Sequence, residues 1–175
     1  MFNLSYQELN EIIPEGKYEA AITRAAEDHG CVVINCEIRK DVQQTCAGRT
    51  LTHWMYKLRE PKELDAAVGG YSFSQVMRIA KAAALPEGKN YQSLGEMLND
   101  LAGKTVQLEL YHELYNGKKY LKVKYWNPSE AGPLTYVPEP PQPRQSAGSA
   151  SAVNNTAQAQ NTQSGGIPGS ALPWN

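Results

Sequence analysis

The chain predicts a mainly β domain of five strands with a helical insert, ordered strand-strand-strand-helices-strand-strand, plus a C-terminal tail. Three observations carry this. Residues 17–58 alternate apolar and polar positions between turn signals, the two-residue period of half-buried strands. Residues 72–103 change to helical spacing bounded by capping signals. Residues 105–126, TVQLELYHELYNGKKYLKVKYW, form two alternating runs joined by Asn116-Gly117, the strongest short-range signal for a tight hairpin.

The first strand follows the turn signal Pro14-Glu15-Gly16 and sets Tyr18, Ala20 and Ile22 on one face, against Glu19, Ala21 and Thr23. Asp28-His29-Gly30 turns the chain into CVVINCEIRK. There Val32, Ile34, Cys36 and Ile38 share the apolar face, and Asn35, Glu37 and Arg39 take the other. A polar loop, Asp41 to Gly48, leads to the third strand, Arg49 to Leu58. Its register is open from sequence. With Leu51 and Met55 inward, Trp54 and Tyr56 face out; in the opposite register Trp54 and Leu58 are core and His53 is exposed.

Ser72 and Gln75 have capping-box spacing ahead of the apolar positions Phe73, Val76, Met77, Ala80, Ala83 and Ala84, and Leu85-Pro86-Glu87-Gly88 stops that helix. Ser93 and Glu96 begin a second helix with the stripe Leu94, Met97, Leu98 and Leu101, closed by Gly103. Both stripes read as core. This order matches an OB-like Greek-key barrel, which binds oligonucleotides on its second and third strands and in the loops joining strands 1–2 and 4–5. The alternative is an α+β sandwich with helices on an open sheet. The domain is expected over residues 1–127. Residues 128–175, rich in Pro, Ser, Gln and Asn, bury too little apolar surface to offset their conformational entropy and are expected to be a disordered tail.

Composition excludes several functions. Of 17 Lys and Arg only Arg144 lies past residue 128, and of 18 Asp and Glu only Glu130 and Glu139 do. The domain is therefore neutral, and affinity for nucleic acid must come from a local patch. No apolar run is long enough to cross a membrane, and the N-terminus MFNLSYQELNEII lacks a basic leader and an apolar signal core, so a cytoplasmic location is expected. Cys31, Cys36 and Cys46 lack metal-ligand spacing, and Cys31 and Cys36 fall on opposite faces of one strand, so reduced thiols and no metal are expected. There is no P-loop, nucleophile elbow or paired-histidine motif, so neither catalysis nor a cofactor is expected.

The binding candidates are rings and cations on strands. Cations track a phosphate backbone and flat rings stack on unpaired bases. Pairing Tyr115 with Lys118 across the turn sets Leu108 opposite Tyr125 and Leu110 opposite Val123 on the core face. The outer face then carries Tyr111 with Lys122, Glu113 with Tyr120, Glu109 with Lys124 and Gln107 with Trp126. The expected nucleic-acid-binding set is Arg39, Arg49, Trp54, Tyr56, Tyr111, Lys118, Lys119, Tyr120, Lys122 and Trp126. The competing reading is an ordinary hairpin whose lysines guard an exposed edge.

EIIPEGKYEA, CVVINCEIRK with Gly48-Arg49, SFSQVMRIAKAAALP, and LAGKTVQLEL followed by YNGKKYLKVKYWNP occur in that order. Over about residues 1–128 the chain resembles small phage-encoded proteins of recombination and replication modules, taken to be OB-fold single-stranded-DNA-binding proteins. The resemblance implies sequence-independent protection of unpaired DNA. It also implies that the tail tip Leu172-Pro173-Trp174 docks replication or recombination proteins, although no acidic run precedes it as is usual in such tails. A homo-oligomer is compatible with this reading. The alternative is a non-catalytic interaction adaptor or accessory subunit of a replication complex.

Overall fold

A computed structural model describes residues 12–140. The chain divides into two units, residues 1–142 and 143–175, and the second lies outside the described residues. In the first unit β1 (Gly16–Asp28), β2 (Cys31–Ile38), β3 (Thr50–Tyr56), β4 (Thr105–Tyr115) and β5 (Lys118–Pro128) form one antiparallel sheet, ordered β3-β2-β1-β4-β5. The helices α1 (Glu63–Ala67), α2 (Phe73–Ala82) and α3 (Leu94–Leu101) connect β3 to β4. The arrangement is the OB-like one expected. The edge strands β3 and β5 share no ladder but touch through His53 and Trp126, whose rings meet edge-on at 5.4 Å.

Local chemistry accounts for each reversal. His29 and Gly30 (φ 48° and 78°) and Asn116 and Gly117 (φ 51° and 73°) make two-residue turns with both central φ angles positive. That is the type I′ geometry whose twist matches the strands it joins. Tyr18, Ala20 and Ile22 of β1 point into the core, and a bulge between Ile22 and Arg24 then passes the core side to Ala25. Val32, Ile34, Cys36 and Ile38 of β2, Leu51 and Met55 of β3, and Val106, Leu108 and Leu110 of β4 complete the sheet's inner face. Onto it pack Val76, Ile79 and Ala82 of α2 and Met97, Leu98 and Leu101 of α3. Burying each large aliphatic group contributes roughly 1.5–3 kcal/mol.

The helix starts differ in part from expectation. At α3 the Ser93 Oγ accepts the Glu96 N–H at 3.2 Å, but the Glu96 carboxylate accepts from the Gln92 N–H, one residue early. At α2 the Ser72 side chain makes no cap; Asp65 of α1 accepts the Phe73 N–H at 2.8 Å instead. The short α1, not expected from sequence, thus supplies the cap of the helix that follows it.

The chain stays bonded to the sheet past the boundary expected at residue 128. Residues 129–136 form a strap over the outer side of β1 and β2. Ser129 Oγ donates to the Glu19 carboxylate, Thr135 donates to Asp41, and the Tyr136 hydroxyl donates to Glu37 at 2.9 Å. Arg39, expected at a nucleic-acid interface, is buried beneath this strap at 2 % exposure. Its guanidinium donates to both oxygens of Asp41 at 2.8 and 2.7 Å and to the carbonyls of Gly132 and Pro133 at 2.9 and 3.2 Å. Four of the five N–H donors of the planar fork serve the fold, so Arg39 is a structural anchor.

Candidate nucleic-acid interface

The register of β3 decides the first part of the surface. Leu51 and Met55 are buried, so Trp54 and Tyr56 face outward at 49 % and 69 % exposure. Trp54 lies opposite Val33 and Tyr56 opposite Cys31 on β2. The Asn35 amide donates to the Thr52 hydroxyl at 2.9 Å, fixing the same strand pair. Two rings are therefore presented on rigid backbone rather than on a loop.

The β4–β5 hairpin supplies the second part. From the turn to Leu110–Val123 the pairs fall as the sequence predicts: Tyr115 with Lys118, Glu113 with Tyr120, Tyr111 with Lys122 and His112 with Leu121. A bulge then intervenes beside Leu110, at the Lys124 level of β5. Past it Tyr125 lies opposite Glu109, and Trp126 lies opposite Leu108. One extra residue in a strand exchanges its two faces. Trp126, expected on the outer face, is thus half-buried against the core and His53, and Tyr125, expected in the core, is 52 % exposed.

The cations divide by face. Lys118 shares the outer face with Tyr115, Tyr120 and Lys122, whereas Lys119 lies opposite Leu114 on the other face of the ribbon. Lys122 sits 3.7 Å from Glu113, and Lys124, which the bulge leaves without a residue opposite, is still 3.7 Å from Glu109. These are surface pairs, and each contributes little to stability. Arg49 is exposed just before β3 and already holds an interaction within the chain. Tyr111 is half-buried, and Tyr120 is 45 % exposed. Leu172, Pro173 and Trp174 lie outside the described residues.

His53 joins the two parts through its ring contact with Trp126. Burial pushes its pKa down to about 4, and the nearby Lys122 ammonium pushes the same way. It is neutral near pH 7 and forms an uncharged seam between β3 and β5. Cys36 is buried in the core and its thiol is pushed up to about 12 by that burial, which keeps it unreactive. The Cys31 thiol donates to the Asp28 carbonyl at 3.0 Å. Among the described residues no group of three or more His, Cys, Asp or Glu could hold a metal ion, and no helix is long and apolar enough to cross a membrane.

The structure thus places Trp54 and Tyr56 on the outward face of β3 and Tyr120, Lys118 and Lys122 on that of β5, and removes Arg39 and Trp126 from the outward faces. Sequence reasoning missed Tyr125 and also Arg78, which stands on the exposed side of α2. Its signal was present: Gln75 and Arg78 are one turn apart and flank the apolar stripe of α2. No curated protein matches the chain. The family model described as "Protein of unknown function (DUF669)" matches residues 2–143, most of the chain, and the protein belongs to that family.

Proposed function

We propose that this protein binds single-stranded DNA without sequence preference and protects it during phage replication or recombination. The observation that supports this most is the set of outward rings on the two edge strands, Trp54 and Tyr56 on β3 and Tyr120 and Tyr125 on β5, the latter interleaved with Lys122 and Lys124. Rings stack on any base, at roughly 1–3 kcal/mol each, so such a surface is indifferent to sequence. Lysines held on a neutral domain localise phosphate attraction to that surface. The strap occupies the outer side of β1 and β2, so the DNA path runs over β3, the seam and β5. The domain acts by binding and carries out no chemistry on the strand.

A second reading, an interaction adaptor within a replication complex, draws on the hairpin tip, where Leu114 is 70 % exposed and Tyr115 64 %. Titration with oligo-dT and with a duplex of equal length, at two salt concentrations, separates the two. Quenching of tryptophan emission by the single strand, weaker with duplex and lost in high salt, is expected. Equal binding to both, or binding to neither, refutes the first reading and favours the adaptor.

A further inference from the structure

A cleft of about 220 Å³ lies between α2 and β5, lined by Gln75, Arg78 and Ile79 on one side and Lys124, Tyr125 and Trp126 on the other. We infer that this cleft holds one nucleotide of the bound single strand, its base on the Tyr125 ring and its phosphate on Arg78. The inference rests on the DNA-binding reading above and adds a site that the binding face of an OB-like barrel does not include. Ile79 is buried and Trp126 half-buried, so they give an apolar wall, while Gln75, Arg78 and Lys124 are exposed around it.

Charge and size select the occupant. The lining carries two cations and no carboxylate. Arg78 makes no ion pair or hydrogen bond with the described residues, so its planar fork is open to a phosphate. Lys124 lies 5.3 Å from the centre of the Tyr125 ring and is shared with Glu109, so it steadies the ring more than it adds charge. The volume is below the roughly 300–1,000 Å³ of sites for drug-sized molecules and suits a single ring system. The larger cleft between α2 and α3 includes Glu87, and its Lys89 is already bound to Asp100, so it lacks this bias toward anions.

The bulge at Lys124 makes the site. Without it Tyr125 faces the core and the cleft loses its stacking surface. With it Tyr125 continues the β5 row of Tyr120 and Lys122, so a strand crossing the seam meets the cleft next.

Full-length protein is titrated with oligo-dT at several salt concentrations, and also photocrosslinked to the same oligomer carrying 5-iodouracil. Tyr125→Ala is expected to bind about fivefold more weakly or worse, the lower limit of one stacking contact, and Tyr125→Phe close to wild type. Arg78→Ala is expected to reduce the slope of log affinity against log salt by about 0.7, and Arg78→Lys to keep it. Crosslinks are expected at Tyr125 in the wild-type chain, a result that decides the matter even where a variant fails to fold. Wild-type protein that binds single strands, with unchanged affinity and slope in the variants and crosslinks confined to β3 and the hairpin tip, overturns the cleft alone. Wild-type protein that binds no single strand overturns the parent reading and the cleft with it.

Discussion

Replacing Arg39 with Ala removes the anchor of the strap and exposes the energetics of a buried charge. The guanidinium is 2 % exposed and serves four acceptors: two Asp41 oxygens and the Gly132 and Pro133 carbonyls. Truncation leaves the Asp41 carboxylate, itself only 9 % exposed, with the Thr135 bonds but no countercharge. Breaking a buried pair by removing one partner costs roughly 3–5 kcal/mol, against about 0–1 kcal/mol for an exposed pair. Arg39→Ala is therefore expected to lower the unfolding free energy from urea denaturation by that amount and to make the chain cleavable by chymotrypsin at Tyr136. Acid has the same effect on the wild type. The Arg39 guanidinium holds the Asp41 carboxyl far below the usual carboxylate range, so its stabilisation is complete above about pH 4 and is lost as pH falls toward that depressed value. A loss under about 1 kcal/mol in Arg39→Ala, with no change in cleavage, refutes the assignment of Arg39 to the fold.

The two described tryptophans should separate function from stability. Trp54→Ala is expected to weaken oligo-dT binding about 5- to 150-fold at nearly unchanged stability. Trp126→Ala is expected to lose roughly 2–4 kcal/mol in urea unfolding because it empties space beside His53 and Leu108. Lys118→Glu combined with Lys119→Glu should weaken binding at low salt and flatten the salt slope by at least about 1.4, two phosphate contacts. His53 gives a pH signature. Its folded pKa, pushed down to about 4, lies below the unfolded value near 6.5, so stability is full above pH 6.5 and falls as pH drops toward 4, by roughly 3 kcal/mol at most. Urea midpoints of His53→Phe across pH 4–7 should show a shallower slope than the wild type.

What sequence could reveal here was whatever short-range chemistry decides. Asn116-Gly117 specified a turn type, and the turn then fixed six residues of register on each side. Leu51 and Met55, two residues either side of His53, settle the β3 register once β2 is beside them, because only that choice buries both. Bulges depend on how neighbouring strands share twist, and nothing in YLKVKYWNP marks Lys124 as the residue that breaks alternation. That one shift exchanged Tyr125 and Trp126. Arg39 was misplaced for a different reason. Its strand position faces outward, as read, but a segment ninety residues later in the chain returns to cover it. A stretch such as PSEAGPLTY has few apolar residues to signal docking, since it attaches through hydrogen bonds to Glu19, Glu37 and Asp41.

Pairing of β1 with β4 ends at Gly16 and Leu110, and the last support beyond it comes from Glu15 and Ile13, which bond His112. From Glu113 to Tyr120 the hairpin is a two-stranded ribbon that pairs with no other strand among the described residues. A lone ribbon is only marginally stable, so its amides should exchange with solvent far ahead of those in the barrel, through openings that leave the core intact. On the proposed single-strand-binding reading, such openings would let the arm settle on the bound strand and release it while the rest of the sheet stays folded. On the same reading the ordering of the arm is part of the free energy of each encounter, and residues that stiffen it, such as Pro at a compatible position, should slow dissociation of oligo-dT.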